Sequence, residues 1–413
     1  MKRLWVILFL LSLLTSPVSA QDFEDAPELP ASIVILSVEG TITYARPGWA
    51  VPQPLVAGTL ISPTDDFIYP QGDVTLLAMC PSGSVVEFLP GQLQTNDVLA
   101  CDSGAQVIGS PGMQRVSIQR GGRQDPTIPY LISPRATVLR EPTLNLVWNP
   151  IVNVHTYSLT VRADGNPIRE LADIAPEAVQ VGGQAVYTVS DLTLQEEVAY
   201  TVDICVDFDD GRPQKCTNQP GWESTAVLAF YYASTPELNA QEQNLMAELG
   251  ENTPTSLYAR AVLLSQPVIQ TEIAPLGVYQ EAIKLCERII SDHPTSALAS
   301  SPELYNLLGE LYRRVDLKLS ANAAFATAAQ LANPNTASAA TATLGTAITT
   351  PDDRLGVSLY DQALDNYAEY LTPDAFTIQF EMVCKEIGDL CLDLSRCQDN
   401  AEQCLAWYEE RLG

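Results

Sequence analysis

The chain has 413 residues, more than one hydrophobic core usually organises, so several domains are expected. Hydrophobic residues make up 46% and charged residues 17%, a core-forming composition rather than a disordered one. Fifty Asp and Glu against 22 Lys and Arg give a net charge of −28, which repels phosphate backbones and anionic lipid heads and argues against nucleic acid as a partner. The only two histidines, His155 and His293, lie far apart in the chain, which excludes a multi-histidine metal centre and argues against histidine-based triads.

The N-terminus reads as an export signal. Lys2 and Arg3 precede an apolar run over residues 4–14 that is broken only by Ser12, and Val18-Ser19-Ala20 supplies a small-residue cleavage site. Residues 1–20 are expected to be removed, leaving 21–31 as a flexible acidic leader and raising the net charge from −28 to −30. No later run is long and apolar enough to span a bilayer, so the mature chain is expected in the periplasm, on the cell surface or outside the cell.

Residues 32–110 alternate apolar and polar with frequent Gly, Pro and Asp, as strands joined by turns do. Val38-Glu39-Gly40-Thr41, Gly58-Thr59-Leu60-Ile61 and the Ser82-Gly83-Ser84-Val85-Val86 hairpin resemble the FecR-type β domain of bacterial envelope proteins. The membrane span and cytoplasmic arm of its sensor members are missing, so the resemblance does not imply transmembrane signalling. Residues 111–129, rich in Pro and Gly, read as a linker. Arg115, Arg120, Arg123, Arg135 and Arg140 gather in and just after it, either as charge compensation at a domain junction or as a docking site for an acidic partner.

Over residues 130–234 the alternation resumes. Asp164-Gly165 signals a tight hairpin, and Trp148 followed by Tyr200 resembles the core Trp and late Tyr of a fibronectin type III or related β-sandwich. That resemblance makes both aromatics core residues. Asp207 to Gly211 is one residue short of a calcium loop and lacks its closing Glu, so a solvated turn is expected.

From residue 235 to 413 the apolar period becomes roughly 3.6, and Ala, Leu and Glu replace Val and Thr. Tyr305, Leu308, Gly309, Tyr312, Ala321, Phe325 and Ala328 fall at the spacing of a tetratricopeptide repeat, which this stretch resembles. A preceding repeat is expected over 256–294, and a degraded third around Leu344-Gly345, Ala363 and Tyr367. Because such repeats contact mainly their neighbours, the region is expected to fold alone. The resulting fold class is multidomain: an all-β N-terminal half, comprising a FecR-like domain and an immunoglobulin- or fibronectin-like sandwich, followed by an all-α repeat domain.

Export makes the nine cysteines candidates for disulfides. Cys80 pairs naturally with Cys101 in one β-rich stretch, and Cys205 with Cys216 across a hairpin. Cys384, Cys391, Cys397 and Cys404 are symmetric about residue 394, so a turn there would nest Cys391–Cys397 inside Cys384–Cys404 and leave Cys286 free. The alternative is a pairing that uses Cys286.

No GxSxG, HExxH, GxxxxGK[ST] or GxGxxG motif occurs, and acidic pairs such as Asp65-Asp66 are expected by chance among 50 acids. The expectation is therefore a non-enzymatic exported scaffold with no cofactor and no metal. It would bind a protein or peptide through its helical repeats, or alternatively a cell-wall or surface polysaccharide with the FecR-like domain as the adhesive part, a reading that an exposed aromatic row on one β face would favour.

The mature protein should begin at Gln21, as N-terminal sequencing of exported material will show. Peptide mapping without reduction should return Cys384–Cys404 and Cys391–Cys397; the outer bridge closes a loop worth roughly 3 kcal/mol. A Cys286 peptide linked to any of the four would refute the symmetric pairing.

Overall fold

A computed structural model describes residues 32–62, 66–93, 99, 101, 127–181, 183–217, 229–271, 274–351 and 353–387. Among these residues the N-terminal half is strand-rich, and eight α-helices follow in the C-terminal half. The export segment, Arg115, Arg120, Arg123, Cys391, Cys397 and Cys404 lie outside the described residues.

The first sheet is built on two long antiparallel strands, β1 (Ile33–Ala45) and β4 (Phe67–Met79). Two short strands, β2 (Gln53–Pro54) and β3 (Leu60–Ile61), pair with β1, and β5 (Val85–Phe88) pairs with β4. Gly40 bends β1 at a φ of +96°, and a Cβ there would lie 2.8 Å from Cγ1 of Val74. The apolar run Ile33-Val34-Ile35-Leu36 is buried residue by residue rather than alternately. Ile33 and Ile35 face the sheet's own core, whereas Val34, Leu36 and Met79 enter a core shared with the helices. A sheet covered on both faces gives this continuous apolar pattern.

Two four-stranded sheets follow. In one, β6 (Leu131–Ser133), β8 (Thr143–Trp148), β12 (Gln184–Thr193) and β11 (Gln180–Val181) are neighbours in that order. The other runs β10 (Asn166–Ile174), β9 (Val154–Ala163), β13 (Tyr200–Phe208), β14 (Lys215–Cys216). Inward residues of both sheets form one core, in which Trp148 is fully buried and meets Tyr157 edge-on at 5.4 Å between ring centroids. The Tyr200 hydroxyl accepts a 2.8 Å hydrogen bond from the backbone of Gln195. Asp164 and Gly165, at φ of 47° and 79°, form the two-residue turn between β9 and β10. A parallel pair, β7 (Val138–Leu139) with β15 (Tyr231–Tyr232), leads toward the helices.

The helices are α1 (Pro236–Leu249), α2 (Pro254–Leu264), α3 (Tyr279–Asp292), α4 (Pro302–Arg314), α5 (Lys318–Leu331), α6 (Ala337–Thr349), α7 (Asp353–Tyr370) and α8 (Pro373–Ile387). A small ribbon, β16 (Ile269–Gln270) with β17 (Pro275–Leu276), joins α2 to α3. Each helix packs on the next, and α4 also packs on α6. Phe325 of α5 makes that arrangement possible. Its ring lies against the backbones of both Gly309 and Gly345, where an added Cβ would come within 2.8 Å and 2.5 Å respectively. Leu308, Ala321 and Ala328 are buried beside it, and half-buried Tyr312 donates a 2.5 Å hydrogen bond to Glu287. Tyr305 is also half-buried.

The helices do not contact only one another. Leu257, Tyr258, Ala259, Ala261 and Val262 bury the whole girth of α2, as expected of a helix apolar all round. That burial includes the outer face of β1 and β4. The sandwich is tied in as well. Arg135, fully buried, donates through Nε to the Val315 carbonyl at 2.8 Å and through Nη1 to the Leu131 carbonyl at 2.7 Å. Its Nη2 faces the Asp316 carboxylate at 3.3 Å. Arg140 pairs with Glu242 of α1 and Glu281 of α3. These two members of the arginine cluster are thus internal charge compensation at a junction.

Replacing Gly309 by Leu should lower unfolding free energy by ~1–3 kcal/mol, because the Phe325 ring occupies the space the side chain needs. Urea denaturation measures it. In a cycle with Phe325→Leu the two losses should add to more than the double variant shows; strict additivity would deny the contact.

Candidate binding cleft between the N-terminal sheet and the helices

The segment from Arg46 to Thr59, which leaves β1 and returns through β2, runs across the helices. The backbone of Thr372, between α7 and α8, donates to the Gly48 carbonyl at 2.8 Å, and Ala50 donates to the Tyr370 carbonyl at 2.7 Å. Trp49 meets Tyr44 and Tyr370 edge-on, at 5.0 and 5.5 Å between centroids. Arg46 reaches over Trp49 and holds Asp66 through two hydrogen bonds of 2.8 and 2.7 Å. Further along, the buried hydroxyl of Tyr258 in α2 donates to the Gly58 carbonyl at 2.8 Å. Gly58 sits at a φ of +95°, and a Cβ there would lie 2.6 Å from Cβ of Glu303, so only glycine fits.

Between this segment and the N-terminal ends of α4 and α6 lies a cleft of about 280 Å³. Tyr44, Pro54, Val56, Leu331 and Ala337 give it apolar walls; Gln53, Thr59, Asn333, Thr336, Ser301, Ser338 and Glu303 give it polar ones. Ser301 caps α4, its hydroxyl accepting from the Glu303 backbone at 3.1 Å. The same oxygen lies 2.6 Å from Oε2 of Glu303 and 3.2 Å from the Ala57 carbonyl. A hydroxyl has a single proton to give. With Glu303 ionised it serves the carboxylate; with Glu303 protonated the carboxyl can donate to Ser301, and Ser301 to Ala57. Ser338 is held by Asn306, whose amide donates to its hydroxyl at 3.0 Å.

Burial pushes the Glu303 carboxyl above its ordinary 4.5, against opposing hydrogen bonds from Ser301, its own backbone N–H and Ser338. The fully buried carboxylates among the described residues are Asp66, Asp203, Glu242 and Glu310. Each is paired with arginine: Arg46, Arg162, Arg140 with Arg260, and Arg313 with Arg314 respectively. Glu303 stands apart from them, and among the described residues no Lys, Arg or His lines its cleft.

Cys80–Cys101 and Cys205–Cys216 are disulfides, the latter across the β13–β14 ladder. Cys286 is free and buried, and burial pushes its thiol well up. The side chain of Cys384 lies outside the described residues, as do its three expected partners. In the Asp207–Gly211 turn, Asp209 faces His155 at 3.0 Å, Asp210 pairs with Arg212 at 2.8 Å and Asp207 accepts from Gln214 at 3.2 Å. Glu303 carries no sequence signal beyond a helix start: Ser301-Pro302-Glu303 reads as an N-cap, and only the long-range approach of residues 53–59 turns it into a cleft wall. No family model, curated protein or solved structure matches the chain.

Glu303→Gln should remove a pH dependence. A carboxyl whose pKa rises on folding contributes stability below the unfolded pKa and loses it as pH climbs through the folded pKa. Relative to Glu303→Gln, the native protein should therefore become less stable from about pH 4.5 toward neutrality. Melting curves of both at pH 4 and pH 7 measure the difference; a constant gap would contradict a desolvated carboxyl.

Proposed function

We propose that this chain is an exported, non-enzymatic scaffold that binds a segment of a protein or peptide partner in the cleft beside Glu303. The carrying observation is the cleft itself: a cavity between two elements far apart in sequence, with apolar walls and a few convergent polar groups, as ligand sites usually are. The two disulfides fit an oxidising compartment, and no described helix is long and apolar enough to cross a membrane.

The domain identities remain part of this reading. Sheet neighbours β6-β8-β12 opposite β10-β9-β13-β14, with Trp148 in the core and the bonded Tyr200 hydroxyl, support a fibronectin-type sandwich. Successive helix packing, with α4 also on α6 and Phe325 against two glycines, supports tetratricopeptide-like pairs. Gly40, Gly58 and Gly83, the glycines of the stretches that resemble a FecR-type domain, are all at positive φ. The partner surface differs from the sequence expectation: Gly48–Thr59 already occupies part of the α2, α4 and α6 side, so the partner enters at the remaining cleft. Polysaccharide binding gains less support, since Phe67 is the one exposed aromatic among the described residues.

A photo-crosslinking residue at Asn333, in the cleft, should capture a defined partner from an envelope extract. The same residue at exposed Val152, in the loop between β8 and β9, should not. The full mature chain is the bait, because the helices share their core with the first sheet. Equal capture at both positions, or none at Asn333, would count against the cleft.

A further inference from the structure

We propose that the cleft receives a primary ammonium group, presented by a lysine side chain of the partner, with the Glu303 carboxylate as its counter-charge. The inference rests on the partner-binding role of this cleft and adds the chemistry of what enters it.

Charge accounting is the first argument. Among the described residues each fully buried carboxylate has an arginine, so pairing is the rule by which this part of the chain keeps acids in its interior. Glu303 is the acid in a concave site whose lining, among the described residues, supplies no cation. An ammonium from outside would complete the pair. Burial already pushes the Glu303 carboxyl up, the direction expected where a positive partner is missing. The groups facing it do not supply one: Tyr44 from β1 and Tyr258 from α2 are neutral phenols, and the nearby Arg46 is held by Asp66.

Geometry is the second. An ammonium offers three donors and no acceptor. Glu303 Oε2 and the Ser301 hydroxyl, 2.6 Å apart, form an acceptor cluster, with Ser338 lining the same cleft. A lysine stem of four methylenes needs apolar cover along its length. Tyr44, Pro54, Val56, Leu331 and Ala337 provide that cover. The cleft volume of about 280 Å³ leaves room for such a chain. Anionic ligands are disfavoured twice, by Glu303 and by the overall charge of −28, which draws cations toward every opening.

The test is calorimetric titration of the full mature protein at pH 7. Three probes are used: an acetylated, amidated Gly-Lys-Gly peptide, its norleucine counterpart and free cadaverine. The lysine peptide should bind, the norleucine peptide should not, and cadaverine should bind more weakly than the lysine peptide. Glu303→Gln should weaken lysine-peptide binding by roughly tenfold or more, the scale of a lost charge-assisted hydrogen bond. The variant should melt no lower than the native protein at pH 7, so lost binding would not reflect lost folding. As a second variant, Ala337→Phe fills the cleft from the α6 side and should abolish binding while Glu303 remains. Affinity should fall between pH 7 and pH 4 in the native protein and stay level in Glu303→Gln. Unchanged affinity in Glu303→Gln, or equal binding of the norleucine peptide, overturns the proposal; tighter binding of cadaverine overturns the lysine source. If Asn333 still captures a partner while the lysine peptide ignores Glu303, the cleft role survives and the ammonium does not. If both fail, neither stands.

Discussion

The hydroxyl of Tyr258 fixes the geometry on which everything else rests. The side chain is almost wholly enclosed, and a buried phenol must find a partner or forfeit the cost of its desolvation. The Gly58 carbonyl supplies it. To offer that carbonyl the backbone of Gly58 turns through positive φ, with Glu303 packed where a side chain would stand. The segment after β1 is thereby held against the start of α4, and the space left beside it is the cleft. Val34, Leu36 and Met79 give the same docking its hydrophobic driving force by sinking the outer face of the first sheet into the helices. The hydrogen bond sets register; the apolar face supplies the energy.

Arg135 performs a comparable task for the sandwich. A guanidinium with no exposure is tolerable only if its donors are met, and carbonyls from two regions meet them: Leu131 beside it and Val315 at the turn between α4 and α5. Val138 and Thr137 add bonds to the Gly277 carbonyl ahead of α3. These contacts are polar, directional and long-range. They favour one relative placement of sandwich and helices, as apolar contact alone does less sharply.

Much of this architecture was legible because its signals are local. Asp164-Gly165 specified a hairpin turn, Cys205 and Cys216 bracketed one, and the change of period after residue 235 marked where strands give way to helices. Gly309 and Ala321 were readable as small residues at helix crossings, although Phe325 as the common reason for Gly309 and Gly345 was not. The two-sided burial of β1 was written in Ile33-Val34-Ile35-Leu36, yet it is easily read as ordinary alternation. What stayed hidden is non-local. Arg135 and Arg140 were recognisable as a cluster at a junction, but their partners on the helices lie more than a hundred residues away. Glu303 looked like a first-turn acid, which on an isolated helix it would be.

The arginines also shape the protein's exterior. Arg135, Arg140, Arg260, Arg313 and Arg314, all largely buried, are engaged with carboxylates or carbonyls of the fold. The other 17 of the 22 basic residues stand against 50 acids, so the exterior stays strongly acidic. Such a surface resists self-association and raises the local concentration of cations near every cavity. Glu303 sits where that field meets a concave, partly dry wall, and there a charge pair is screened less than on open surface. A carboxylate left unpaired costs the fold some stability, as groups kept for binding commonly do. The same desolvation that raises its pKa makes it a stronger partner for an arriving cation, because both effects follow from the loss of water around one charge.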